Sequence, residues 1–553
     1  MTQLVYLGSL EKQEDVEAEL SNHSIFSCDT ETISLKNRTC IGIGLCSGEH
    51  RWYFPFDIET GNRHADTISK ILTDPTVTKL YHNVNYDYSV LEEALGIQID
   101  WYGIEDSYLL AKNMGIEAGL EAIGTNMLGY TDMFSIQDLF TETGLKSSTM
   151  LDVPLERVAL KCLNDVRATY YGFDHLYNKA SANELENYKV DMDLLPVLRQ
   201  MERKGLGLNK PKLYEMQDQH FRSWMHKQQV CKELGFNPGS NQQVALYLAQ
   251  QGCMLPMTRS KKNLSVDEDV LLGVDHPVAK LVLDYRHEQK LLSTYLDPWI
   301  GEERAGYHFR SDLSTGRLAS YDRNIQNVPP NMRSIFAPDS GTFTWFDYSQ
   351  IELRVFAYLA HDEVMLEAYR TGADLHQLTN IELGVNNRDL AKLFNFAMIY
   401  LAKPGTLASH LKIPYDKAVK GRAKWLGLYK QGYQYMLERS QDTKDYAETY
   451  FGRKMALPRG ENSYEVEHRN KCRINYPVQG TAADIIKRTM LRTQELDLRV
   501  QVHDEELFDG AIGKCAKGCS SCQEKDVFKE LQIDSICPDI HTPYEVKHGE
   551  VWT

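Results

Sequence analysis

The sequence predicts a multidomain chain, α/β at its N-terminal end and α+β towards its C-terminal end, with a mainly helical stretch between. Three observations carry this. The 553 residues exceed what one hydrophobic core accommodates. Short β-favouring runs at 24–28, 40–45 and 52–56 alternate with helical patterns through about residue 175. Residues 182–204, "ANELENYKVDMDLLPVLRQMERK", then carry apolar positions at helical spacing and stop at Gly205 and Gly207. A further helix is expected over 275–298, and a mixed pattern returns from about 305, placing domain breaks near 180 and 300.

Composition narrows the class. Apolar residues make up 42% and charged residues 25%, as in ordinary globular proteins. The apolar runs are too short to span a bilayer, and the N-terminus lacks a basic-then-apolar leader, so no membrane partner and a cytoplasmic location are expected. The net charge of −16 leaves a nucleic-acid partner open, because a local basic face binds phosphate whatever the total. Of the eleven cysteines, most are scattered and read as buried thiols of a reducing compartment.

The C-terminal third raises a question of charge. "QVHDEELFDG" (501–510) sets His503, Asp504, Glu505 and Glu506 between apolar neighbours, the pattern of a strand or hairpin. Adjacent carboxylates there repel and lose hydration unless a cation lies between them. Asp347, in "TFTWFDYSQIELRVFAYLA", has the same setting: 342–346 favours a strand and 351–359 a helix. A strand-end aspartate and a turn aspartate can converge on Mg²⁺ or Mn²⁺, and two such ions suit in-line phosphoryl transfer. Surface or ion-pair roles are the alternative for such a pair.

In "NRDLAKLFNFAMIYLAKPG", Arg388, Lys392, Phe396 and Tyr400 recur every four residues, one winding stripe of a helix. Two cations followed by two aromatics match a nucleoside triphosphate laid lengthwise. A solvated basic turn followed by a core stripe is the plainer reading.

Taken in order, "DYSQIELR", "R-x3-K-x3-F-x3-Y" and "VHDE" resemble the polymerase motifs of family A DNA polymerases, and "STGRLASYDRNIQNVP" (314–329) and "INYPVQGTAADIIKRTM" (474–490) resemble that family too. The resemblance implies a right-hand polymerase: thumb over 181–300, palm over 301–380 and 471–553, fingers over 381–470. It implies that Asp347 and Asp504 hold two Mg²⁺ (or Mn²⁺) ions with Glu505 in support, and that the Tyr348 carbonyl completes the coordination. Arg388 and Lys392 would grip the triphosphate, Phe396 would stack on the incoming nucleotide, and Tyr400 would guard the template base. Glu352 would crowd the sugar 2′ position, favouring DNA over RNA synthesis and speaking against a single-subunit RNA polymerase. Arg317, Asn475, Gln479 and His503 would touch the primer terminus and minor-groove edge, whose acceptors are shared by every correct pair. Lys471 stands where an arginine is usual, and Ala397 and Leu401 where glycines are common.

Ahead of these blocks, "FSCDTET" puts Asp29 and Glu31 on one face of a strand. "YHNVNYDYSVL" adds Asn83 and Asp87, and "ALKCLNDVRATYYG" adds Asp165 on a helix. Together they resemble a DEDD-type 3′–5′ exonuclease domain of ribonuclease H-like fold over residues 1–180, again with two metal ions. The tyrosine usual four residues before the last aspartate is Lys161, which predicts a reduced excision rate; the literal alternative is Tyr170 with Asp174. The implied partners are primer-template DNA, dNTPs and replisome proteins such as a helicase and a single-strand binding protein. The absence of a 5′-nuclease segment suggests a compact phage-type enzyme acting in a host cytoplasm.

Two features remain. Lys261 and Lys262, in a loop-like stretch, and Arg286 and Lys290, on a helix, are candidate phosphate contacts. Cys515, Cys519, Cys522 and Cys537 form a loose array that could enclose a structural zinc, or stay unliganded.

Overall fold

The computed structural model describes residues 4–6, 13–143, 149–258, 260–384, 387–513 and 526–552. The chain packs as two compact units interleaved along the sequence: Met1–Val197 with Ser311–Leu318 and Met436–Leu491, and Leu198–Arg310 with Ala319–Tyr435 and Arg492–Thr553.

The first unit is built on a six-stranded mixed sheet ordered Leu4–Tyr6, His50–Pro55, Cys40–Ser47, Ile25–Thr32, Thr78–Tyr81, Ile104–Asp106. The strands expected at 24–28, 40–45 and 52–56 are present, each within a few residues of its expected bounds. Every residue of Cys40–Ser47 is buried, because the 25-residue helix Leu155–Lys179 lies across the sheet. Gly44 permits that approach: a Cβ there would meet the Cys162 sulfur at 2.6 Å. Phe26, Trp52, Phe54, Ile68 and Leu91 fill the core.

A buried ionic cluster ties the helices Ser107–Asn113 and Ala182–Lys204 to the long helix Ser463–Arg492. Asp191 lies on the helix Ala182–Lys204, where the apolar spacing placed one. It receives Arg453 Nη1 at 2.6 Å and Lys487 Nζ at 2.8 Å; Arg453 Nε reaches Asp484 at 2.6 Å and its Nη1 reaches Asn113 at 2.6 Å. Burial opposes the Asp191 charge, but the two cations outweigh it and hold the carboxyl well below the usual carboxylate range.

The second unit contains a four-stranded antiparallel sheet ordered Leu498–Val502, Glu505–Asp509, Phe343–Tyr348, Tyr544–Gly549. Helices Lys210–Glu233, Asn241–Gln250 and Pro277–Lys290 surround an apolar cluster that includes Val244, Leu248 and Val282. Helices Leu375–Leu383, Arg388–Ile399, Pro404–Leu411 and Tyr415–Leu428 form a second helical group. Among the described residues no helix is long and apolar enough to cross a membrane.

Candidate active site

The "VHDE" stretch is a two-residue hairpin: Val502 pairs with Glu505, and His503 and Asp504 form the turn. His503 takes φ 55, a left-handed conformation unusual for a side chain bearing a Cβ, and its carbonyl accepts from Gln501 Nε2 at 2.6 Å. The strand Phe343–Tyr348 lies beside the hairpin with Asp347 opposite Glu505. The Tyr348 amide donates to the Asp504 carbonyl at 3.2 Å, locking the turn against the strand end. Both aspartates therefore stand at the same edge of one sheet.

Electrostatics there call for a cation. Burial, then the charges of Asp504 and Glu505, push the Asp347 carboxyl up to about 7. Glu505 is already engaged: Trp552 Nε1 donates to its Oε1 at 2.6 Å, Arg333 Nη1 lies 3.3 Å from the same oxygen, and the Arg333 guanidinium sits 4.1 Å from the Trp552 ring centroid. Arg333 and Trp552 come from far along the chain, and no local spacing announced them. The all-carboxylate donor set of Asp347 and Asp504 fits a hard divalent ion.

Helix Arg388–Ile399 begins at Asn387, whose side chain accepts from the Leu390 amide. Arg388 and Lys392 are exposed and Phe396 and Tyr400 half-buried, whereas Ala391, Phe394, Asn395 and Met398 face the core. The stripe picked out by spacing thus runs from two exposed cations to two half-buried rings. Arg388 Nε sits 2.5 Å from Asp374, the N-cap of Leu375–Leu383. The Tyr400 hydroxyl donates to Glu352, on the helix that follows the Asp347 strand. This bond joins the basic helix to the carboxylate edge. Leu401, where a glycine is common in the resembling family, adopts φ 54.

His376 escaped the sequence reading. Its Nδ1 is 3.0 Å from Asn395 Nδ2, its buried Nε2 has no hydrogen-bond partner, and its ring centroid lies 6.2 Å from that of Phe396. Burial holds its pKa down to about 4, leaving a neutral ring with Nε2–H free to donate. The available signal was its position directly after Asp374 and Leu375, a capped helix start.

Arg317, Asn475 and Gln479 belong to the first unit. Asn475 and Gln479 lie one turn apart on Ser463–Arg492, and the Asn475 Oδ1 is buried without a partner. Tyr476 hydrogen-bonds Ser314, which brings the segment of Arg317 to the same helix. Lys471 pairs with Glu467 at 3.0 Å. In the second unit, Lys261 and Lys262 are exposed at a loop tip closed by the Met257–Leu264 bridge. Lys290 is exposed, but Arg286 serves internal structure instead, donating to the Val266 carbonyl and Asn241 Oδ1. Cys515, Cys519 and Cys522 lie outside the described residues; Cys537 is buried.

The N-terminal acids converge. Asp29 and Glu31 project from Ile25–Thr32, Asp87 from Val84–Leu95 and Asp165 from Leu155–Lys179. Thr30 donates to Asp87 Oδ1 through its amide at 2.9 Å and its hydroxyl at 2.7 Å. Asn83 instead occupies a left-handed N-cap, and its amide is bound by Asp106. Burial, then Asp87, Glu31 and Asp165, push Asp29 well above the usual carboxylate range, and burial takes Asp87 up to about 7. Ligand atoms of Asp29, Glu31 and Cys162 lie within 4.8 Å of one another, so the donor set fits a metal ion. Lys161 Nζ sits 2.5 Å from Asp165 and 3.4 Å from Glu31. Burial works against its charge, yet Glu31, Asp165 and Asp29 outweigh that and hold its pKa well above the ordinary lysine value. A cavity of about 560 Å³ opens on Asp29, Glu31 and Asp87, lined also by Lys161, Asn83, Tyr86 and Phe140. Asp174, the alternative to Asp165, is exposed on the same helix.

Comparisons with known proteins identify the two domains. Residues 212–552 match the model of DNA polymerase family A, and residues 6–181 match a 3′–5′ exonuclease model. DNA polymerase I of Chloroflexus aurantiacus is 29% identical over 95% of this chain and 61% of its own length. DNA polymerase I of Pseudomonas aeruginosa is 30% identical over 80% of this chain and 53% of its own. The chain spans about half the length of the curated relatives it matches. A solved structure, the POL domain of Pol1 from M. smegmatis in complex with DNA primer-template and dNTP, shares the fold with a TM-score of 0.74 at 22% identity, covering 98% of both chains. Polymerase and exonuclease domains of these kinds depend on divalent metal. The chain belongs to DNA polymerase family A, with a 3′–5′ exonuclease domain ahead of its polymerase domain.

Proposed function

We propose that this chain extends a DNA primer on a DNA template, releasing pyrophosphate from dNTPs, and excises mispaired 3′ ends at its N-terminal site. The observation that supports the reading is the Tyr400–Glu352 hydrogen bond, which links the C-terminal end of the helix carrying Arg388, Lys392 and Phe396 to the helix that follows the Asp347 strand. In this reading residues 1–180 form the exonuclease domain, 181–300 the thumb, 301–380 and 471–553 the palm and 381–470 the fingers.

Asp347 and Asp504 would hold Mg²⁺, with Mn²⁺ as a substitute; such ions, when bound, lower the charge barrier to attack by the primer 3′ hydroxyl and to pyrophosphate departure. Arg388 and Lys392 grip the triphosphate, Arg388 being held ready by Asp374. His376 donates from Nε2 on the same side, and Phe396 stacks on the incoming base. Glu352, fixed by Tyr400, closes the space a 2′ hydroxyl would need. Arg317, Asn475, Gln479 and His503 read the primer terminus and minor groove, while Lys261 and Lys262 contact backbone phosphate. At the excision site Asp29, Glu31, Asp87 and Asp165 are the carboxylates available to metal and to the attacking water.

The test is primer extension with Mg²⁺, dNTPs or NTPs, and matched or mismatched 3′ ends. Deoxynucleotide addition with mismatch removal is expected. No addition by the intact chain, or preference for ribonucleotides, would reject the reading.

A further inference from the structure

The excision site carries a resident cation. Lys161 and Asp165 are one turn apart on Leu155–Lys179, and the ammonium reaches back over Asp165 at 2.5 Å and across to Glu31 at 3.4 Å. Its side chain is 12% exposed, against 11% for Asp165 and 6% for Glu31. A magnesium ion shared by those two carboxylates would have to bind within about 2.0–2.1 Å of their oxygens. It would then crowd the ammonium, with like charges opposed. Asp29 and Asp87 are differently placed. The Thr30 donors occupy only Oδ1 of Asp87, and the Asp29 Oδ2 lies 3.5 Å from the Cys162 sulfur, while the Lys161 ammonium bonds Asp165 and Glu31.

Resting on the exonuclease reading, we propose that the Lys161 ammonium takes the place of one of the two divalent ions, so that this site works with a single bound metal. The hydrolysis itself is unchanged in balance: a water oxygen bonds to the terminal phosphorus, the bond from phosphorus to the preceding 3′ oxygen breaks, and the water proton is passed on so that this oxygen leaves as a hydroxyl. A nucleoside 5′-monophosphate is released. Fixed ammonium charge faces the phosphate where a second ion would otherwise bind and exchange.

Mn²⁺ binding to the full chain, counted by paramagnetic resonance with deoxythymidine 5′-monophosphate present, tests this. The unaltered chain should bind one more Mn²⁺ than the Asp29→Ala, Glu31→Ala double variant, and Lys161→Met should bind one more than the unaltered chain. A difference of two between the unaltered chain and the double variant overturns the Lys161 proposal and leaves the exonuclease reading standing. A difference of zero removes both. Should Lys161→Met fail to fold, excision by the unaltered chain decides: a tenfold rise in subsaturating Mg²⁺ should raise its rate tenfold, and a hundredfold rise would overturn the proposal.

Discussion

The Tyr348 amide and the Asp504 carbonyl, 3.2 Å apart, pin the hairpin turn to the strand end that carries Asp347. That one backbone bond sets both aspartates at a common edge, and the energetic consequences fall on Asp347.

Because the Asp347 carboxyl is pushed up to about 7, well above the ordinary value of about 3.9, its ionised form is disfavoured in the metal-free fold. The penalty grows as pH rises from about 4 to about 7 and is full above that. In chelator, Asp347→Asn should therefore raise the melting temperature at pH 8 but not at pH 4. The gain should be on the order of 1 kcal/mol after discounting for partial exposure. The same variant should lose at least about a thousandfold in nucleotide addition. Thermal melts at both pH values and primer extension check this.

Phe396 has no hydroxyl to stand in for a missing 3′ hydroxyl on the nucleotide. Phe396→Tyr is expected to raise dideoxynucleotide incorporation at least about tenfold, and Glu352→Ala to raise ribonucleotide incorporation about 10–100-fold. Competition assays against dNTPs measure both; equal use of dideoxynucleotides by the unaltered chain would refute the first.

Asp29→Ala with Glu31→Ala should abolish removal of a mismatched 3′ end while extension continues at its original rate. The four acids gather within one unit, on elements separate from the Asp347 sheet. A primer with a terminal mismatch, followed with and without dNTPs, reads out both activities.

Arg453 and Asp191 form the centre of a fully buried cluster, so removing one partner strands the other. Arg453→Met is expected to cost about 3–5 kcal/mol in urea unfolding. Asp191 is held below the usual carboxylate range, so its contribution is present above about pH 3.9 and is lost as pH falls below that. Asp191→Asn should flatten the acid limb of a stability–pH curve while lowering stability at neutral pH.

By itself the sequence determined the local elements that bear the chemistry. A β-favouring run followed by a helical pattern put Asp347 at a strand end, alternation at period two put Asp29 with Glu31 on one strand face, and four-residue spacing put Arg388, Lys392, Phe396 and Tyr400 on one winding helix stripe. Those patterns are legible because each depends only on neighbours within a few residues. Only the tertiary structure decided that Arg333 and Trp552 clasp Glu505, that His376 faces Phe396, that Lys161 fills the space among the N-terminal acids, and that Met436–Leu491 packs with the first unit. These contacts join residues far apart along the chain, and burial and charge pairing, which fix them, leave no periodic mark on the sequence.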